Sequence, residues 1–156
     1  MKYSFKAIND VKRIPLAGKL INIVDISPEY SKDSTEVYGR LLAAFGQPAY
    51  TTMDLEDAYC YVITATDASG NEHVLNVYDG PSGPAIGGEY SALDAAEQLR
   101  QYISTFAPAD YEYEGYYFDG PTKVRRGIAN GEVFYSEVEI SDEEYGQAYK
   151  LVYPNA

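Results

Sequence analysis

The last third of the chain does most to constrain the fold. Two tight-turn signals, Asp119-Gly120-Pro121 and Asn130-Gly131, separate three runs of strand-forming residues at 111–118, 122–129 and 132–140. Asn-Gly readily takes the two consecutive positive φ angles of a type I′ turn, whose twist matches paired strands. The pattern therefore predicts an antiparallel three-stranded meander. Ser141, with Glu144 three residues later, then reads as a capping box opening a short helix over 142–149, which Gly146 weakens.

Upstream, 2–8 and 19–26 read as strands, the second from the β-branched run Leu20-Ile21-Asn22-Ile23-Val24-Asp25-Ile26. Val37, Tyr38, Leu41, Leu42, Ala44 and Phe45 recur at three-to-four spacing and predict a helix from Ser34 to Phe45. Asp33 or Ser34 would cap it, and Gly46 with Pro48 would end it. Residues 58–66 and 72–79 form an expected hairpin around Asp67-Ala68-Ser69-Gly70-Asn71, its first strand apolar on both faces and so central. A second helix is expected from Ser91 to Phe106, with Ser91 and Asp94 as an imperfect capping box and Pro108 as its stop. The order ββ-α-ββ-α-βββ-α implies one α+β domain over 1–156, mostly antiparallel sheet, with two main helices on one face and a short C-terminal helix.

The charge is lopsided. The chain carries 24 acids, 12 bases and one His, a formal charge of −12. Residues 1–34 hold six bases and four acids, whereas 35–156 hold six bases and 20 acids. A field of that sign disfavours nucleic acid and favours a cationic partner, or serves solubility alone. No apolar run reaches membrane-span length and the start lacks a secretory h-region. With a single cysteine the chain forms no intramolecular disulfide framework, so a reducing cytoplasm is the expected compartment.

Catalytic signatures are missing. Cys60 lies in the first strand of the hairpin, opposite a residue near 78, so His73 does not pair with it; one Cys and one His supply no zinc site. No metal or cofactor is expected, and no catalytic residue is assigned. The Gly/Pro-rich segment 79–90, read as a crossover loop, lacks both the Gly-Lys-Ser/Thr and the G-x-G-x-x-G phosphate patterns, and its prolines remove amide donors. It is still a place where Ser82, Gly83, Gly87 and Gly88 would line a small-molecule site in a regulatory domain.

The most unusual segment is Asp110-Tyr111-Glu112-Tyr113-Glu114-Gly115-Tyr116-Tyr117-Phe118-Asp119. At period two, Asp110, Glu112 and Glu114 share one face, and Tyr111, Tyr113 and Tyr117 the other. This reads either as a solvated face over a tyrosine-lined core or as an acidic, aromatic binding patch. In the second reading Asp110, Tyr111, Glu112, Tyr113, Glu114, Tyr116, Asp119, Glu137 and Glu139 would contact a basic protein, with acids pairing Lys/Arg and phenol rings supplying contact area.

A small, acidic, tyrosine-rich α+β domain without catalytic residues resembles the immunity proteins of bacterial toxin systems. The segments Phe45-Gly46-Gln47-Pro48 and Gly80-Pro81-Ser82-Gly83-Pro84-Ala85-Ile86-Gly87-Gly88 look like signatures of a bacterial group. The resemblance implies a non-enzymatic protein that binds a cognate, often basic, toxin domain and blocks its active site or its access to substrate. It carries no residue assignments.

Overall fold

The computed structural model describes residues 2–8, 21–25, 32–53, 55, 58–80, 83–118 and 122–155. The larger sheet is built from β1 (Tyr3–Ala7), β2 (Ile21–Asp25), β3 (Tyr50–Thr51), β4 (Tyr59–Asp67), β5 (Glu72–Gly80) and β6 (Gly83–Gly88). Its order is β1-β4-β5-β6-β2, and β3 also pairs with β4. The smaller sheet has β7 (Tyr111–Tyr117), β8 (Thr122–Ala129) and β9 (Glu132–Glu139) in sequence order. Helices α1 (Lys32–Phe45) and α3 (Asp142–Val152) are single elements, and a 3-10 turn at Tyr90–Ala92 leads into α2 (Leu93–Ser104). Every strand pairing is antiparallel, giving an α+β domain dominated by sheet.

The core forms on one face of the larger sheet because alternate residues of its strands point there. Tyr59, Tyr61, Ile63 and Ala65 of β4, Leu75 and Val77 of β5 and Ile86 of β6 meet Val37, Tyr38 and Leu41 of α1 and Ala95, Ala96, Leu99 and Ile103 of α2. Both main helices thus lie on one face, as the periodicity predicts. Tyr38 stacks on Tyr59 with ring centroids 4.5 Å apart, and Arg40 donates to the carbonyls of Ser104 and Phe106, tying the two helices together. The opposite residues of the strands, including Cys60, Val62, Thr64 and Asn76, are buried too, which accounts for β4 being apolar on both faces.

Turn chemistry sets the registers. Asp67 accepts from the amides of Ser69 and Asn71, closing the β4–β5 turn. That register places Cys60 opposite Tyr78 and His73 opposite Ala65, so thiol and imidazole lie far apart along the hairpin. Asn130 and Gly131 have φ of 52° and 79°, the type I′ geometry expected of their sequence. Gly46, at φ 75°, ends α1 with its amide bonded to the Leu42 carbonyl. Ser141 caps α3, accepting from the Glu144 amide.

Three local expectations need correction. Residues 83–88 are not a loop but strand β6, paired with β5 on one side and β2 on the other. Its glycines hide strand periodicity. Pro84 is tolerated because it precedes Ala85, where the ladder to β2 begins. Ser91 is not the cap of α2: it lies inside the 3-10 turn, and Ala92 takes the cap position without a side-chain bond. Asp94 bonds Lys2 and Tyr3 of the N-terminal strand instead. Asp33 and Ser34 are not the cap of α1 either: the helix begins at Lys32, so both lie inside its first turn.

Candidate functional site: the smaller sheet and the C-terminal helix

One buried ion pair fixes the smaller sheet against the larger. Arg126 of β8 reaches Asp79 of β5 at 2.7 Å, with both side chains 4% exposed. Among the described residues it is the one ion pair that joins the two sheets. Its guanidinium also lies over the Tyr113 ring, 5.2 Å from the centroid. Burial pushes the Asp79 carboxyl up and Arg126 pulls it back; burial disfavours the Arg126 cation, and the carboxylate more than offsets that, so the guanidinium is held charged. Tyr59 lies close enough to feel both charges, and burial raises its phenol well above the ordinary range.

The pleat of β7 sorts the acid–tyrosine run by face. Tyr111 donates to the Thr35 carbonyl at 2.8 Å and Tyr113 to the Thr52 carbonyl at 2.6 Å, and both rings pack on the core. These two tyrosines line the interior rather than a docking surface. Tyr116 points the other way but is 8% exposed, packed on Phe118. Tyr117 stays half-buried. Asp110 accepts from the amides of Asn130 and Gly131 at 2.9 and 3.2 Å, so it pins the β8–β9 turn. Glu112 and Glu114 are exposed but neutralised across the sheet by Arg125 and Lys123. Arg125 holds the Glu112 carboxyl below its usual range. Asp119 and Ser82 lie outside the described residues.

Glu137 and Glu139 belong to a different face. The register sets Glu137 opposite Val124 and Glu139 opposite Thr122, whereas Glu114 stands opposite Arg125. Since Val124 and Arg125 are neighbours on one strand, Glu137 and Glu139 lie on the face opposite Glu112 and Glu114. The eight described residues of the expected patch are therefore not one surface. Glu137 accepts from the Tyr135 hydroxyl at 2.6 Å; burial, then this bond, raise the tyrosine above its ordinary value.

What remains outward is the C-terminal end. Residues 132–144 contain Glu132, Glu137, Glu139, Asp142, Glu143 and Glu144 and no base. Among the described residues no ion pair engages any of the six. Large apolar side chains stand exposed nearby: Tyr135 and Val138 on β9, Tyr149 and Leu151 on α3, and Tyr153 directly after it. Helix α3 leaves β9 and docks through Tyr145, Tyr149 and Tyr153 on Phe118 at the end of β7, and Tyr145 donates to the Phe118 carbonyl at 2.6 Å. Nothing in the local sequence distinguishes these acids from the paired ones. The signal was the absence of Lys and Arg from 127–149.

The Gly-rich alternative site is a packed strand. Gly83, Gly87 and Gly88 are buried within β6, and a Cβ on Gly87 would come 2.3 Å from Asn76 Oδ1. Among the described residues no group of three or more His, Cys, Asp or Glu side chains is placed to hold a metal, and no helix is long and apolar enough to cross a membrane.

Fold and surface together define a small α+β protein with a strongly acidic, partly apolar end. Comparison with protein-family models, curated proteins and solved structures returned no match.

Proposed function

We propose that this chain is a cytoplasmic binding protein that neutralises a basic protein partner, in the manner of a bacterial immunity protein occupying its cognate toxin. The observation that carries this reading is the uncompensated acidic end at 132–144, with Tyr135, Val138, Tyr149, Leu151 and Tyr153 exposed nearby. Exposed aromatics desolvate on contact and dominate binding energy, while unpaired carboxylates raise the association rate and select a cationic surface. Between 35 and 156 there are six bases. Arg100, Lys123, Arg125 and Arg126 are taken by carboxylates of the same fold and Arg40 by main-chain carbonyls, and the sixth, Lys150, lies in the last turn of α3, beyond the acids of 132–144. The partner supplies the missing positive charge.

The test is titration calorimetry against the product of the adjacent upstream gene. The expected result is tight binding whose association rate falls with added salt. Reversing Glu137, Glu139, Asp142 and Glu143 to Lys together is expected to weaken binding by at least ~100-fold, given about 1.4 kcal/mol per tenfold and several pairs lost. Unchanged affinity in that variant would refute the reading.

A further inference from the structure

We infer that the outer edge of β9 is where the partner docks, and that it docks by adding an extended cationic strand to the smaller sheet. The inference rests on the reading above and assigns it a binding mode. β9 is the last strand in the order β7-β8-β9, eight residues long, and from Tyr135 to Glu139 every side chain is exposed. Among the described residues nothing pairs with its far side. Helix α3, which follows it directly, is drawn away onto Phe118.

The turn determines which backbone groups are on offer. A two-residue type I′ turn makes the flanking residues, Ala129 and Glu132, a pair that exchanges both main-chain bonds. Alternation along the ladder then directs the amides and carbonyls of Glu132, Phe134, Ser136 and Val138 toward β8. Those of Val133, Tyr135, Glu137 and Glu139 face away from β8, where no strand among the described residues pairs with them, in register for another strand.

The side chains at this edge choose the occupant. Glu137 and Glu139 sit two residues apart on one face, with Val138 between them on the other. A second copy of β9 would bring carboxylate against carboxylate, so the edge resists self-pairing. A strand with Lys or Arg at alternate positions and apolar residues between would set its cations against Glu137 and Glu139 and its apolar face toward Val138. Strand addition of this kind takes affinity from the main chain and specificity from alternate side chains.

The experiment is amide hydrogen exchange by NMR on the full chain, with and without an end-blocked octapeptide alternating lysine and valine. A glutamate–valine octapeptide is the control. The expected result is that the cationic peptide slows exchange at Val133, Tyr135, Glu137 and Glu139 by at least tenfold. The amides of Phe134, Ser136 and Val138, already bonded to β8, are expected to change little, and the acidic peptide to protect none. Glu137→Pro removes one outward amide and leaves the ladder to β8 intact. It is expected to abolish protection by the peptide, whereas Glu137→Gln only weakens it. If the cationic peptide or the basic partner binds without protecting the four outward amides, strand addition is wrong and the acidic-end reading stands. If no cationic peptide or protein binds, both fall. Protection that grows with protein concentration alone would assign the edge to a second copy and overturn the inference.

Discussion

Removing the cation from the buried Asp79–Arg126 pair tests how the smaller sheet is held. Arg126→Met keeps the length and the apolar stem but leaves the Asp79 carboxylate 4% exposed with its ion-pair partner gone. Breaking a buried pair from one side costs about 3–5 kcal/mol, because the remaining charge has lost both water and its counter-ion. For a domain of this size that corresponds to a fall in Tm of roughly 6–20 °C. Urea titration followed by far-UV circular dichroism is the appropriate assay, since the chain has no Trp. The second arm is Asp79→Leu with Arg126→Met. Removing both charges removes the desolvation problem, so the double variant should recover much of the loss, with a coupling on the order of 2 kcal/mol. Two results would refute the argument: Arg126→Met within ~1 kcal/mol of the native chain, or costs in the double variant that simply add. Either would mean that the pair is solvated and does not staple the sheets.

Two further predictions concern backbone and pH. Gly87→Ala places a methyl 2.3 Å from Asn76 Oδ1 and is expected to cost about 1–3 kcal/mol by thermal melt, partly recovered by adding Asn76→Ala; Gly146→Ala, with open space around the new methyl, is expected to be neutral or stabilising. The carboxyls of Asp67, held by the Asn71 amide, Asp94, by Lys2, and Glu112, by Arg125, all lie below their ordinary values of 3.8, 3.8 and 4.5. The unfolded chain therefore binds protons more tightly, and their contribution, complete above those values, is lost as pH falls through the folded ones. Asp67→Asn should flatten the decline of the urea midpoint between about pH 5 and pH 3; an unchanged slope would show that the Asp67 turn bonds do not contribute.

Local rules made much of this fold legible, and the exceptions have physical causes. The β4–β5 and β8–β9 hairpins, the end of α1 at Gly46 and the Ser141 cap follow from residues within a few positions of one another. β6 was hidden because its six residues include three glycines and a proline, which erase the alternation that reveals a strand. The partnership of Arg126 with Asp79 spans 47 positions, and that of Asp110 with the Asn130-Gly131 turn spans 20 or more. No periodicity reports such contacts. The acid–tyrosine run was conspicuous for a structural reason: its phenols reach interior carbonyls, and its carboxylates meet Arg125 and Lys123 on the next strand.

That outcome explains where a docking surface can lie at all. Net charge is a property of composition, but an uncompensated surface is a property of register. β8 brings Lys123 and Arg125 to one face, where they cancel Glu114 and Glu112, and sends Arg126 inward to Asp79. Among the described residues no ion pair then reaches β9 or the start of α3. The same contacts that consume the cations also immobilise the strand that lacks them: Asp110 holds its turn, and Asp79 holds its sheet against the core. An edge already fixed in extended form loses little conformational freedom when a partner strand is added. Loosening that scaffold should therefore weaken partner binding even though neither Asp110 nor Asp79 lies on the outer edge of β9. In Asp110→Ala, calorimetry should show a less favourable binding entropy with all six acids of 132–144 intact, and unchanged entropy would show that the turn does not preorganise the edge.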